Sequence, residues 1–165
     1  MIEKKIYKYG IPSKNKLLQF IFNFPGLSKL PLFSLFVRRH LKQCDNVSWS
    51  SGFKFLYGNI HAKNVGLSDT VFLDYANIYI GNKTNFGWGN IVITADHDPR
   101  NFDVVRCKSI SIGSEVFITS KCIILPGVTI GNGSVIGAGT IVLDDVPPNC
   151  LFAGNPGKVV KYFNS

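Results

Sequence analysis

Three histidines are the side chains best suited to moving a proton near neutral pH: His40, His61 and His97. His97 stands out by its company. It lies in Thr94-Ala-Asp-His-Asp-Pro, flanked by Asp96 and Asp98, with Arg100 just beyond. An imidazole in such a polar run suits general-base work, in which an alcohol or amine loses its proton as it attacks. Either acid can orient the ring or contact acceptor hydroxyls, although neighbouring side chains on an extended chain point apart. Arg100 reads as a contact for a charged partner or as a solvated loop residue. His40 follows Arg38-Arg39 and reads as exposed, and His61 as a surface or packing residue. No metal is expected. Asp-His-Asp on consecutive residues is a poor ligand set, and no other cluster has ligand spacing.

Cys44, Cys107, Cys122 and Cys150 match no C-x-x-C or zinc pattern. Met1-Ile-Glu-Lys-Lys runs into polar residues instead of an apolar leader, so the expectation is a reduced, cytoplasmic protein. Gly-Asn-Gly and Gly-Ala-Gly read as turn glycines, because no helix follows them as a dinucleotide site requires.

These residues need a frame to hold them. The chain has 165 residues, 45% apolar and 17% charged, with 16 Gly and 13 Phe. That excludes a disordered chain and fits one β-rich domain with many turns. The net charge is +8, of which residues 1–45 carry +7 and residues 46–165 only +1. A nucleic-acid binder needs its charge on the folded body, so that class is disfavoured.

The chain divides at that charge boundary, into residues 1–45 and residues 46–165. Between Leu17 and Val37 the first part is apolar but interrupted by Asn23, Pro25, Gly26, Lys29 and Pro31, and it fails as a membrane span. Two short helices, about 14–24 and 31–43, fit this segment. They pack on the main body, or they form a basic amphipathic surface that touches a membrane through residues 14–43, which would place the protein at the inner face of that membrane.

The second part repeats. Ile112, Ile118, Ile124, Ile130, Ile136 and Val142 recur every six residues, and two positions earlier stand Ile110, Val116, Cys122, Val128, Ser134 and Thr140. No helix sustains that period, and a flat strand alternates by two. A hexapeptide repeat predicts a parallel β-helix: short strand, corner, short strand, three to a coil. The aliphatic residue points inward and the small one fits the corner, so Cys122 is expected to pack. Ile80, Phe86 and Val92 continue the period upstream, but 20 residues separate Val92 from Ile112. A polar excursion, a loop at about 96–108 that carries His97, must account for the excess. Before Tyr75 the register is poor, and one irregular capping coil is expected.

The runs Ile112-Gly-Ser-Glu-Val-Phe-Ile-Thr-Ser, Ile124-Leu-Pro-Gly-Val-Thr-Ile-Gly-Asn-Gly-Ser-Val-Ile-Gly-Ala-Gly-Thr140, Val146-Pro-Pro-Asn and Ala153-Gly-Asn-Pro-Gly-Lys-Val-Val resemble the hexapeptide-repeat acyltransferases. The nearest branch is the maltose/galactoside O-acetyltransferase-like group, which includes enzymes of bacterial surface polysaccharides. The resemblance covers roughly residues 58–163. It implies a mainly β, left-handed parallel β-helix with a short helical N-terminal extension, a homotrimer, and acetyl-CoA as acyl donor. It places His97 as catalytic base, and the Ser120 backbone N–H against the thioester carbonyl. Phe117 stands for the family's usual Trp as an aromatic cofactor contact, Ala138 lines the pantetheine arm, and Lys158 and Lys161 face the CoA phosphates. Asp144 stands where a Lys is frequent. Asp74 and Asn90 join Asp96, Asp98 and Arg100 as acceptor contacts. The function implied is O-acetylation of a sugar hydroxyl in surface polysaccharide or glycolipid synthesis. The alternatives are N-acetylation of an amino sugar nucleotide and a non-catalytic scaffold.

Overall fold

The computed structural model describes residues 3–6, 35, 37, 39, 41, 43–50 and 52–164. The expected helix at 14–24 lies outside these residues. Of the expected helix at 31–43, Leu35, Val37 and Arg39 are helical, and Val37 and Leu41 join the main core. The remainder of the segment assigned to membrane contact lies outside the described residues. Among the described residues no helix is long and apolar enough to cross a membrane.

Among the described residues eighteen strands make up most of the rest. They are β1 (Glu3–Ile6), β2 (Cys44–Ser48), β3 (Lys54–Phe55), β4 (Ile60–Gly66), β5 (Val71–Leu73), β6 (Ile78–Ile80), β7 (Asn85–Phe86), β8 (Ile91–Ile93), β9 (Ala95–Asp98), β10 (Asn101–Cys107), β11 (Ile110–Ile112), β12 (Phe117–Ile118), β13 (Ile123–Ile124), β14 (Thr129–Ile130), β15 (Val135–Ile136), β16 (Ile141–Val142), β17 (Cys150–Gly154) and β18 (Gly157–Tyr162). They wind into a three-sided prism. Its first face stacks β4, β6, β11 and β14; its second, β4, β7, β12, β15 and β17; its third, β3, β5, β8, β13 and β16. All of these pairings are parallel, as the six-residue period requires.

The inward residues of successive coils stack on one another. Ile80 lies over Ile112 and Ile112 over Ile130, Phe86 over Ile118 and Ile118 over Ile136, Val92 over Ile124 and Ile124 over Val142. Each such side chain is buried, and removing it from water is worth about 1.5–3 kcal/mol. The corners are tight. A Cβ on Gly113 would stand 2.8 Å from the Asn132 nitrogen, which only glycine avoids. At the N-terminal end the prism is filled by rings, with Phe72 stacked edge-on between Phe53 and Phe86, 5.8 Å from each.

Two expectations change. Two coils precede Tyr75, not one irregular cap: β2–β3 form the first and β4–β5 the second. The first coil therefore begins at Cys44, inside the segment assigned to the extension. The excursion is also not a loop. It is an antiparallel hairpin of β9 and β10, and β1 pairs with the outer edge of β10 to make a third strand. So residues 1–45 contribute a strand as well as helical residues. The hairpin leaves the prism cleanly: Lys108 N–H donates to the Thr94 carbonyl at 2.8 Å, and Ile78 stacks on Ile110 as though nothing lay between.

Candidate active site

The hairpin gives His97 its geometry. Side chains alternate along a strand, so Ala95 and His97 share one face of β9, opposite Cys107 and Val105 of β10. That face rests on the prism corner at Tyr75-Ala76, where Ala76, Val105 and Cys107 form a second buried cluster with Tyr75 and Ala95. The His97 ring is exposed beyond this seat. Its Nδ1 lies 2.7 Å from the carbonyl oxygen of Phe102. A carbonyl only accepts, so Nδ1 carries a proton, and in the neutral ring Nε2 is the nitrogen with the lone pair.

The flanking acids have other work. Asp96 points from the opposite face and takes Arg106 in a two-pronged ion pair, Nε and Nη2 each 2.9 Å from a carboxylate oxygen. The Asp98 carboxylate accepts the Arg100 N–H at 2.9 Å and sets the hairpin turn, with Asn101 accepting the Asp103 N–H at 3.1 Å beside it. Arg100 is exposed at the tip. Sequence reasoning missed Arg106 and the Phe102 carbonyl; both follow only from the hairpin register.

Asp74 and Asn90 are not acceptor contacts. Both are wholly buried. Asp74 accepts the backbone N–H groups of Leu56, Tyr57 and Asn59 at 2.7, 3.0 and 2.6 Å, and so holds the corner between the first and second coils. Burial pushes its carboxyl above the ordinary carboxylate range, and those N–H donors oppose the shift. Asn90 donates to the carbonyls of Gly87 and Thr119 and accepts the Cys122 N–H at 2.8 Å, so it ties two coils together. Cys122 itself is buried at its inward position, with Sγ 3.2 Å from the Gly137 carbonyl.

A second set of candidates lines another edge, where the second face turns into the third. Ser120 and Ala138 occupy this edge on successive coils, joined by the Gly139 N–H donating to the Ser120 carbonyl at 2.9 Å. Among the described residues the backbone N–H groups of Ser120 and Ala138 have no hydrogen-bond partner. They form a short ladder of outward donors about 4.8 Å apart. One coil below stands Trp88, 67% exposed, with its backbone N–H donating to Ser120 Oγ at 3.2 Å. One coil above, Ala153 is paired with Lys158, and Lys161 lies opposite Leu151. Both lysines are exposed, and Lys161 Nζ stands 5.9 Å from the Phe163 ring centre. Phe117 is half exposed on the second face.

His97 and Ser120 therefore sit on different edges of one chain, bounding the third face between them. The outward residues Val71, Ile91, Ile123 and Ile141 of that face stack in register and are aliphatic, and Lys54 of β3 ends the column beside Val71. Among the described residues no group of three His, Cys, Asp or Glu is placed to hold a metal ion.

Comparison with known proteins shows the family to which this fold belongs. The family described as bacterial transferase hexapeptide (six repeats) matches residues 109–144. The galactoside O-acetyltransferase of Escherichia coli K12 is 32% identical over 168 residues, covering 94% of this chain and 82% of that one. The chain belongs to the hexapeptide-repeat acetyltransferases. Among solved members of that family, a maltose O-acetyltransferase from Clostridium difficile 630 superposes with a TM-score of 0.80 at 30% identity, over 91% of this chain and 84% of that one. A hexapeptide-repeat acetyltransferase of Vibrio cholerae, complexed with acetyl coenzyme A, superposes with a TM-score of 0.73 at 25% identity, over 90% and 85% of the two chains. Other curated acetyltransferases are longer, and the chain spans 56% to 62% of their length.

Proposed function

We propose that the protein transfers the acetyl group of acetyl-CoA to a hydroxyl of a sugar acceptor. The observation that carries this reading is the His97–Phe102 bond, which leaves Nε2 as a base. An alcohol is a poor nucleophile at neutral pH and needs such a base. In the reaction Nε2 removes the hydroxyl proton while the oxygen attacks the thioester carbon. The Ser120 N–H receives the oxyanion that forms. The intermediate collapses, the C–S bond breaks, and the CoA sulfur takes the proton back from His97. Ala138 N–H serves the pantetheine arm one coil above, and Lys158 and Lys161 meet the phosphates beyond it. The acetyl-CoA complex of the Vibrio cholerae relative supports this donor.

The reaction requires two edges to meet, and this favours a trimer. Three chains packed through their aliphatic third faces would bring each His97 to a neighbour's Ser120. A monomer by light scattering at assay concentration would count against it. The +7 charge of residues 1–45 favours an acceptor of surface polysaccharide or glycolipid synthesis, presented at the cytoplasmic side of an anionic membrane.

A thiol-release assay with acetyl-CoA tests the whole reading across free sugars, sugar nucleotides and polysaccharide repeat units. Thiol release that depends on a sugar hydroxyl and disappears in His97→Ala is the expected result. Release only with amino sugars, or full turnover by His97→Ala, would overturn it.

A further inference from the structure

The outer surface of the second face holds a groove that none of the chemistry above uses. It has a volume of about 570 Å³ and is lined by Asn46, Ser48, Trp49, Asn64, Gly66 and Asn85, with the edges of two core valines. Its floor is made by a missing side chain. Ser48, Gly66 and Asn85 are consecutive outward positions on three coils, and the middle one is glycine. A Cβ on Gly66 would come within 2.6 Å of Asn85 Oδ1 and 3.5 Å of Ser48 Oγ. The same column then reaches Phe117, which pairs with Asn85 on the next coil. The groove itself ends at Asn85, and the column leads on to Phe117, three residues before Ser120. From Ser48 to Phe117 the column climbs three strand spacings, about 14 Å.

Its chemistry is specific. Asn46 donates to Asn64 Oδ1 at 2.8 Å, and Asn64 donates to Asn82 Oδ1 at 3.2 Å. Asn85 donates to the Lys83 carbonyl at 3.1 Å. Each of Asn46 and Asn85 spends one N–H this way, and among the described residues their side-chain oxygens keep their accepting capacity. Trp49 adds a ring, held by stacking on Phe53 at 5.8 Å. Amides, a hydroxyl and an indole match the alternating hydroxyls and C–H faces of a sugar. Among the described residues no charged side chain lines the groove. Two lysines of the neighbouring strands and corners are in ion pairs, Lys63 with Asp45 at 3.5 Å and Lys83 with Glu115 at 2.9 Å. Among these lining residues a pyrophosphate finds no cation to neutralise it.

We infer that this groove is the cleft for an extended, uncharged saccharide. The acceptor is thus an oligosaccharide or glycan segment, not a monosaccharide or a nucleotide sugar, with its reacting ring toward Phe117 and its further rings over Gly66. This rests on the sugar-acetylation reading and narrows it.

The test measures kcat/KM for thiol release with acetyl-CoA. The probes are neutral gluco-, galacto- and N-acetylglucosamine oligosaccharides of one to four rings, beside UDP- and dTDP-sugars. In the best series kcat/KM should rise at least about tenfold from one ring to four. Gly66→Val fills the floor and should remove most of that rise. Asn85→Ala, at an exposed side chain that folding tolerates, should reduce it about threefold or more. Four results would overturn the inference. A response flat with length would do so while leaving sugar acetylation intact. So would a length response unchanged in both variants, which puts the glycan elsewhere. A nucleotide sugar as the best acceptor would sink it directly. If no sugar drives thiol release at all, the acetylation reading itself fails and the groove assignment fails with it.

Discussion

The Nδ1 atom of His97 is bonded to the carbonyl of Phe102, five residues along the same hairpin and 2.7 Å away. The bond fixes which nitrogen carries the proton, and the hairpin register fixes the bond. Neither Asp96 nor Asp98 is bonded to the ring, although both carboxylates adjoin His97 in sequence and both brace the hairpin. The protein thus orients this imidazole with a backbone oxygen and engages both flanking carboxylates in the hairpin.

His97→Ala should lower kcat by about 10²- to 10⁴-fold, the usual share of general-base catalysis. The KM for acetyl-CoA should change less than about threefold, because the ring does not bind the cofactor. Steady-state kinetics with a sugar acceptor will separate the two. Equal losses in kcat and cofactor affinity would instead point to a collapsed site.

Breaking the Asp96–Arg106 pair should act on the hairpin and leave the chemical groups in place. Asp96→Ala leaves Arg106 without its bidentate partner. The pair is partly exposed, so its worth in stability is small. We expect kcat to fall by less than about tenfold and amide exchange to quicken in β9 and β10. Exchange in β13, inside the prism, should not change. A loss as large as that of His97→Ala would mean that Asp96 touches substrate.

Asp74→Ala should be among the most damaging single changes outside the aliphatic core. It strips three backbone N–H groups of their acceptor at a buried corner. One such orphaned donor costs about 1–3 kcal/mol, so a loss of about 3 kcal/mol or more is expected in urea unfolding. A fall in activity at full stability would reinstate Asp74 as an acceptor contact.

Cys44 makes stability depend on alkaline pH. Burial pushes its thiol up to about 11 from an ordinary value of 9.0, against the opposing backbone hydrogen bond. The native state therefore holds a proton that the unfolded chain releases first. The contribution is complete below about pH 9 and is lost as pH rises toward 11. Cys44→Ala should flatten the decline of Tm across that window. Below it, iodoacetamide should label Cys44 roughly a hundred times more slowly than the unfolded chain, in step with its thiolate fraction.

Lys158→Glu should raise the KM for acetyl-CoA several-fold, about three- to tenfold, with kcat and thermal stability unchanged. The side chain is exposed and contributes charge more than packing. The effect should shrink at high salt.

The six-residue period was legible because it is imposed by the geometry it produces: an inward aliphatic at each short strand and a coil of three. It gave the prism from Ile78 to Val142 residue by residue. Before Tyr75 it blurred because Phe53, Phe55 and Phe72 fill the interior where the period elsewhere places aliphatics, and the coil step departs from eighteen, with Phe55 over Phe72 and Gly66 over Asn85. The longer step still survives there, from Val47 to Val65 and from Ile60 to Ile78. His97 was legible as the one polar histidine in the excursion. The hairpin was not, because Asp, His, Pro and Arg have little strand preference of their own. Its pairing comes from Val104, Val105 and Cys107, and from β1, which is remote in sequence. Asp74 and Asn90 were misplaced for a related reason. Sequence shows that a residue is polar, but only the coil shows that it faces inward and is satisfied there.

Ile78 meets Ile110 across the root of the hairpin as if the intervening chain had never been threaded in. The scaffold and the chemistry are thus separable cassettes. Fourteen residues can be lengthened, exchanged or redrawn while the coils above and below keep their contacts. A lineage built on this plan can try new reactions at its corner without having to rediscover its fold.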